Sequence, residues 1–182
     1  MKQELSISPT NWLPSGPVPI PYLNTVLSGF LGSAAKVVQF TGPHRFYRAA
    51  GWDAKSNAMA SAYGGWWVEE MILVQIGAKI SQFENWLPKS LLAEAWPAQY
   101  RGMTALCEDW NDMREMYKLE LPIGEEIIGL VGPVVPQPRR STMDPHARTT
   151  PSFRGGGEQV YFKRTANLNS VNPFWVYPVR LW

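Results

Sequence analysis

The sequence predicts an α+β domain with helices in the middle of the chain and strands towards both ends. Between residues 68 and 113 apolar side chains recur every three or four positions, the spacing of one buried helix face. On either side they alternate with polar ones, the period of a pleated strand. Glycine and proline mark the joints: Gly64-Gly65 stands where the helical pattern begins, and a Leu-Pro pair ends the first alternating stretch after it.

In chain order, residues 1–40 form an arm in which Pro9, Pro14, Pro17, Pro19 and Pro21 disfavour helix and predict extended, polyproline-like backbone. Residues 41–182 form the domain proper. "AAKVVQF" at the junction predicts a short strand, "TGPH" a turn, and "RFYRAAG" a second strand with Phe46 and Arg48 on one face and Arg45 and Tyr47 on the other. Val68, Ile72, Ile76, Ile80 and Phe83 predict an amphipathic helix that begins at the Trp66-Trp67 pair. Tyr100, Met103, Leu106, Trp110 and Met113 predict a second, starting at Pro97. Four strands follow, in "MYKLELP", "EEIIGLVG", "EQVYFKR" and "FWVYPVRLW". A long Pro-rich loop, "PVVPQPRRSTMDPHARTTPSFRGGG", separates the second from the third.

Composition narrows the function classes. Seventeen Lys and Arg against fifteen Asp and Glu give a net charge of +2, too balanced for a grip on nucleic acid by charge alone, although Arg139, Arg140, Arg148 and Arg154 make one basic stretch. A single cysteine, Cys107, excludes an internal disulfide and falls in the second helical stripe as a small buried hydrophobe. His44 and His146 are the only histidines, so neither a histidine-rich metal centre nor a Ser-His-Asp triad is expected. The N-terminus has no basic region followed by an apolar core, and no run reaches the roughly 20 apolar residues of a membrane span. The expectation is a protein made in the cytoplasm that, if exported, leaves by a signal-peptide-independent route.

The stretch with the most chemical content is "RGGGEQVYFKR", residues 154–164. Three consecutive glycines lose extra conformational entropy on folding, and bare backbone allows a flat ligand to lie close. The carboxylate of Glu158 and the amide of Gln159 follow at once, and strand alternation lets one of the two face that ligand. Gly64-Gly65 ahead of Trp66 repeats the arrangement, with an indole as a stacking surface. Arg45 or Arg48 offers a planar fork for phosphate oxygens.

In order, "HRFYRAAG", "YGGWW", "YKLELPIGEEIIGLVGPVVPQ" and "RGGGEQVYF" resemble the NAD-consuming toxin domains of ADP-ribosyltransferase-like fold found in polymorphic and type VI secretion effectors. They also resemble the related tuberculosis necrotizing toxin group of NAD glycohydrolases. The matching pieces are scattered between residues 44 and 162. The resemblance implies a split β-sheet core with helices inserted between the first and later strands, and NAD as substrate with no metal. It implies that Arg48 holds the pyrophosphate, with Arg45 as competitor, and that Gln159 or its neighbour Glu158 acts at the nicotinamide ribose. Trp66, with Tyr47, Gly65 and Gly157, would complete the NAD-binding set. Standard members carry a glutamate two residues after another polar group, whereas Val160 and Tyr161 follow Gln159 here, which favours a glutamine-bearing branch and places Gln159 towards the ligand.

Within the arm, "GPVPIPYLNT", residues 16–25, is similar to the Pro-rich opening of PAAR-like proteins that tip secretion spikes. Together these resemblances imply an antibacterial toxin delivered into the cytoplasm of a competing cell. It would transfer ADP-ribose to a protein or nucleic-acid acceptor, or else hydrolyse NAD, and its partners would be a cognate immunity protein and a spike component. The reading from another class is a non-enzymatic adaptor of a secretion or phage-like particle.

Overall fold

A computed structural model describes residues 1–12, 26–31, 34–51, 65–82, 88–105, 113–138, 152–162 and 172–180. The Pro-rich segment 13–25, Gly64, Phe83, Leu106, Cys107, Trp110 and the loop 139–151 with His146 lie outside the described residues, and with them the spike-like motif.

The architecture is α+β. The strands are β1 (Lys2–Glu4), β2 (Lys36–Thr41), β3 (His44–Ala50), β4 (Trp66–Glu69), β5 (Glu115–Leu121), β6 (Glu126–Pro133), β7 (Gln137–Pro138), β8 (Ser152–Phe153), β9 (Glu158–Phe162) and β10 (Val176–Val179). Among the described residues the α-helices are α1 (Pro9–Trp12), α2 (Glu70–Ser81) and α3 (Lys89–Thr104). Eight strands form one antiparallel sheet in the order β1-β2-β6-β9-β4-β3-β5-β10, and β7 and β8 pair separately at the base of the long loop.

Two properties of this sheet position everything else. It changes partners along β4: Trp66 and Trp67 pair with Tyr161 and Val160 of β9, whereas Val68 and Glu69 pair with Tyr47 and Phe46 of β3. It also curls. Phe40 on β2 and Phe46 on β3 have three strands between them in the sheet order, yet their rings meet edge to face at 4.9 Å, and Phe162 of β9 meets Phe46 at 4.9 Å from the other side.

The curl creates an inner core and two outer ones. Alternation sends Phe46, Trp67, Leu119, Val131, Val160 and Phe162 inward, where they are almost fully buried. On the outer face Tyr47, Val68 and Met116 pack under α2 and α3, with Ile72, Ile76 and Tyr100. The rest of the outer face, with Val37, Leu130 and Tyr161, is covered by Trp12, Val26 and Phe30.

Three sequence expectations are corrected. Pro9 does not extend the chain but opens α1, because proline is tolerated at a first helical position where no partner for its missing N–H is needed. The Trp66-Trp67 pair is not a helix start. It forms a strand, because its backbone pairs with Tyr161 and Val160 of β9 and the Trp67 indole fills the inner core, and the helix begins only at Glu70. α3 begins at Lys89, not Pro97, and carries that proline inside it. The lost hydrogen bond is offset by packing around the proline, where Trp96 lies 3.5 Å from the space above Gly77 and Tyr100 is buried. α3 also stops short of the predicted stripe, with Ala105 in the left-handed region at φ 51°. No described helix is long and apolar enough to cross a membrane.

Candidate functional site

The three glycines receive their explanation from α3. The last four carbonyls of a helix have no partner within it. Here the incoming chain supplies donors from outside: Gly155 N–H to Gly102 O at 3.1 Å, Gly157 N–H to Met103 O at 3.0 Å, and the Gln159 side-chain amide to Thr104 O at 3.3 Å. Gly156 N–H turns the other way, to Val134 O at 2.9 Å. Such close passage requires glycine. Gly155 and Gly156 have φ of +64° and +77°, and a Cβ on Gly157 would stand 2.5 Å from the Met103 carbonyl oxygen. Because all three glycine N–H groups are spent on protein carbonyls, the loop offers bare Cα surface and no anion-binding nest.

That surface is one wall of a cavity of about 700 Å³. Gly155, Gly156, Gly157 and Glu158 form this wall, Met71, Gln75 and Lys79 of α2 face it, Met103 closes one side, and Lys2 and Glu69 stand at the rim. The α2 residues recur every fourth position and so lie one above another on a single helix face.

The ionisable groups are wired together across four strands. His44 Nε2 lies 3.0 Å from Glu69 Oε2, Lys2 Nζ donates to Glu69 Oε1 at 2.5 Å, and the same ammonium donates to Glu158 Oε1 at 2.8 Å. Burial works against ionisation of Glu69, but the bonds from His44 and Lys2 outweigh it and hold the carboxyl below its ordinary pKa. Burial likewise opposes the Lys2 charge, and its bonds to Glu158 and Glu69 prevail, raising its pKa. Among the described residues the Glu158 side chain is bonded by Lys2 alone, and it is 48% exposed against 16% for Glu69.

The residues expected from sequence fall into three groups. Glu158 and Gly157 are at the cavity. Gln159, by contrast, is buried on the outer face of β9 with its amide capping α3. Alternation holds, but the residue it turns to the cavity is Glu158.

Arg48, Trp66 and Gly65 make the second group, at the point where β4 changes partner from β9 to β3. Arg48 Nη1 donates to the Trp66 carbonyl at 2.6 Å. Just beyond it the Ala49 N–H donates to the hydroxyl of Tyr100, whose pKa burial pushes up to about 12. Gly65 is pressed against the Tyr161 ring and the Phe162 backbone, and the Trp66 indole lies between Phe30 and Tyr161 at 5.0 and 5.2 Å.

Arg45 and Tyr47 are the third group, on the outer face. The guanidinium bonds Glu120 at 3.0 Å and Glu70 at 3.3 Å, and the Tyr47 hydroxyl donates to Glu70 at 3.2 Å. Those bonds raise the Arg45 pKa and lower that of Glu120. Neither arginine lines the cavity.

Sequence reasoning missed Glu69 and Lys2 and set His44 aside. The available signal was "WWVE" read as a strand, since alternation then puts Glu69 on the buried face with Trp67, an unusual place for a carboxylate. Among the described residues no group of three or more His, Cys, Asp or Glu is arranged to hold a metal ion. No family model, curated protein or solved structure matches the chain.

Proposed function

We propose that the protein cleaves the bond between nicotinamide and ribose in NAD and passes the ADP-ribose to a macromolecular acceptor or to water. The observation that carries this reading is the Glu158 carboxylate, held by Lys2 at the end of a glycine wall, with the rest of its side chain open to a cavity of about 700 Å³. Departure of nicotinamide takes the bonding pair with it and leaves an oxocarbenium-like ribose, which an adjacent carboxylate stabilises. The acceptor oxygen then bonds to that carbon and loses its proton, to the carboxylate or to water.

This assignment moves the acting role from Gln159, which can only orient hydroxyls through its amide, to Glu158, which carries charge. The change of partner along β4 beside Arg48 and the helices between early and later strands support the same family-level reading. Under it, the producing cell needs an immunity protein over the cavity, and delivery into a target cell follows the route implied by the Pro-rich arm.

Purified protein incubated with NAD should release nicotinamide. Glu158→Gln should abolish release while leaving the melting temperature near that of the parent. Gln159→Leu should do the reverse, losing about 1–3 kcal/mol of stability as the Thr104 carbonyl loses its donor. Label appearing on macromolecules in a lysate marks transfer, and its absence beside free ADP-ribose marks hydrolysis. No nicotinamide under either condition removes the enzymatic reading and leaves the particle adaptor. Growth arrest on cytoplasmic expression, relieved by Glu158→Gln, is the cellular counterpart.

A further inference from the structure

Among the described residues Lys2 is the one that touches both carboxylates at the rim, and it arrives from an element far from them in the sheet. Among the described strands β1 pairs with β2 alone, in a register that sets Lys2 opposite Phe40. The curl carries this edge strand across the open end of the inner core, where the ammonium lies 5.7 Å from the centre of the Phe40 ring and meets Glu69 of β4 and Glu158 of β9. The two carboxylates differ in how firmly they are fixed. Glu69 is largely buried with one oxygen on His44 and the other on Lys2, so its position is determined from two sides. Glu158 is half exposed and has a single anchor among the described residues.

Resting on the function proposed above, we infer that Lys2 is a positioning residue: it transmits the fixed placement of Glu69 to Glu158, orienting Glu158 Oε1 so that the remaining oxygen faces the cavity, and makes β1 part of the site. The reason is mechanical as well as electrostatic. Glu158 stands at the first position of β9, one residue beyond a turn of two left-handed glycines, where backbone alone restrains a side chain weakly. A charge-assisted bond to an already anchored ammonium supplies the missing restraint. The charged and titratable groups facing the pair are Lys2 from β1, His44 from β3 and, further along the cavity, Lys79 from α2.

The test compares Lys2→Met and Lys2→Arg in the full chain. With Lys2→Met, kcat/KM for nicotinamide release should fall about twofold to fivefold, the worth of a half-exposed ion pair, with the loss mainly in kcat. The acid limb of its pH–rate profile should also move, because Lys2 no longer couples Glu69, whose pKa it helps to lower, to the site. Lys2→Arg should restore both, which a merely structural loss would not do. A readout independent of turnover is the carboxyl ¹³C titration of Glu69, expected to shift upward in Lys2→Met and to return in Lys2→Arg.

An unchanged rate and profile in Lys2→Met overturns the positioning role alone. A faster Lys2→Met also overturns it, because the lysine would then be an obstruction over the cavity. Absence of nicotinamide release from the unsubstituted protein overturns the function itself, whatever the titration shows.

Discussion

The glycine wall offers the sharpest test of how this loop is built, because its three positions resist a side chain for different reasons. At Gly156 an added methyl meets nothing within 4 Å, so alanine suffers only the left-handed φ of +77°. That costs about 1–2 kcal/mol, offset by about 0.4–1 kcal/mol from the stiffer unfolded chain. At Gly157 the backbone conformation is acceptable, but the methyl would lie 2.5 Å from the Met103 oxygen and 3.0 Å from its carbon, so α3 and β9 must separate. Overpacking of this kind costs about 1–3 kcal/mol and weakens the bond that caps the helix. Gly155 combines a φ of +64° with a contact of 2.7 Å to the Val134 oxygen, and the two costs add to about 2–5 kcal/mol.

Urea unfolding followed by circular dichroism should therefore rank Gly155→Ala as the most damaging, Gly157→Ala next and Gly156→Ala the mildest. With a slope of about 2 kcal/mol per molar, the midpoints separate by amounts on the order of 0.5–1 M. Activity should rank differently. The Gly156 methyl points into open space on the cavity wall, so Gly156→Ala should raise KM for NAD although it unfolds little sooner than the parent. Gly156→Ala as the least stable of the three, or a neutral Gly155→Ala, would refute the placement of the loop against α3.

The inner core and the rim give two more expectations. Phe162 is fully buried with its ring at 4.9 Å from Phe46 and 6.2 Å from Phe40, so Phe162→Ala should cost about 3–5 kcal/mol in urea unfolding, whereas Phe174→Ala, at a residue 93% exposed, should stay within about 0.5 kcal/mol of the parent. The Glu69 pKa is lowered in the fold, so the unfolded chain binds its proton first. The stability it contributes is present above the ordinary carboxylate range and is lost as pH falls through the lower folded value. Urea midpoints measured from neutral into acid should fall less steeply for Glu69→Gln than for the parent, and an identical slope would remove Glu69 from the account.

What the sequence displayed and what it hid differ in range. β3, β5, β6 and β9 were legible because alternation is a local property, and the face assignments of Phe46, Arg48, Arg45 and Tyr47 follow from it directly. β4 was hidden because Trp66 to Glu69 runs straight into α2 without a break, and four residues of strand resemble a continuing apolar helix face. The triple glycine was visible as an anomaly, but its cause was not. The helix end that it caps is distant in the chain, with Gln159 and Thr104 separated by 55 residues. Lys2 was invisible for the same reason, since its contacts exist only after the sheet has curled.

The curl also accounts for where the charges stand. Along the inner face of β9 the order towards the rim is Phe162, Val160, Glu158; along β4 it is Trp67, Glu69; along β3 it is Phe46, His44; and Lys2 sits opposite Phe40. Each strand keeps its inward parity but exchanges an apolar side chain for an ionisable one where the core runs out to water. A charge placed one inward position deeper would face Phe46, Phe162 and Trp67 and lose hydration that no partner there replaces. Placed at the rim, four groups from four strands compensate one another while Glu158 keeps its exposure. The cavity therefore forms where parity, curl and hydration coincide, and Glu158 rather than Gln159 is the residue that parity delivers to it.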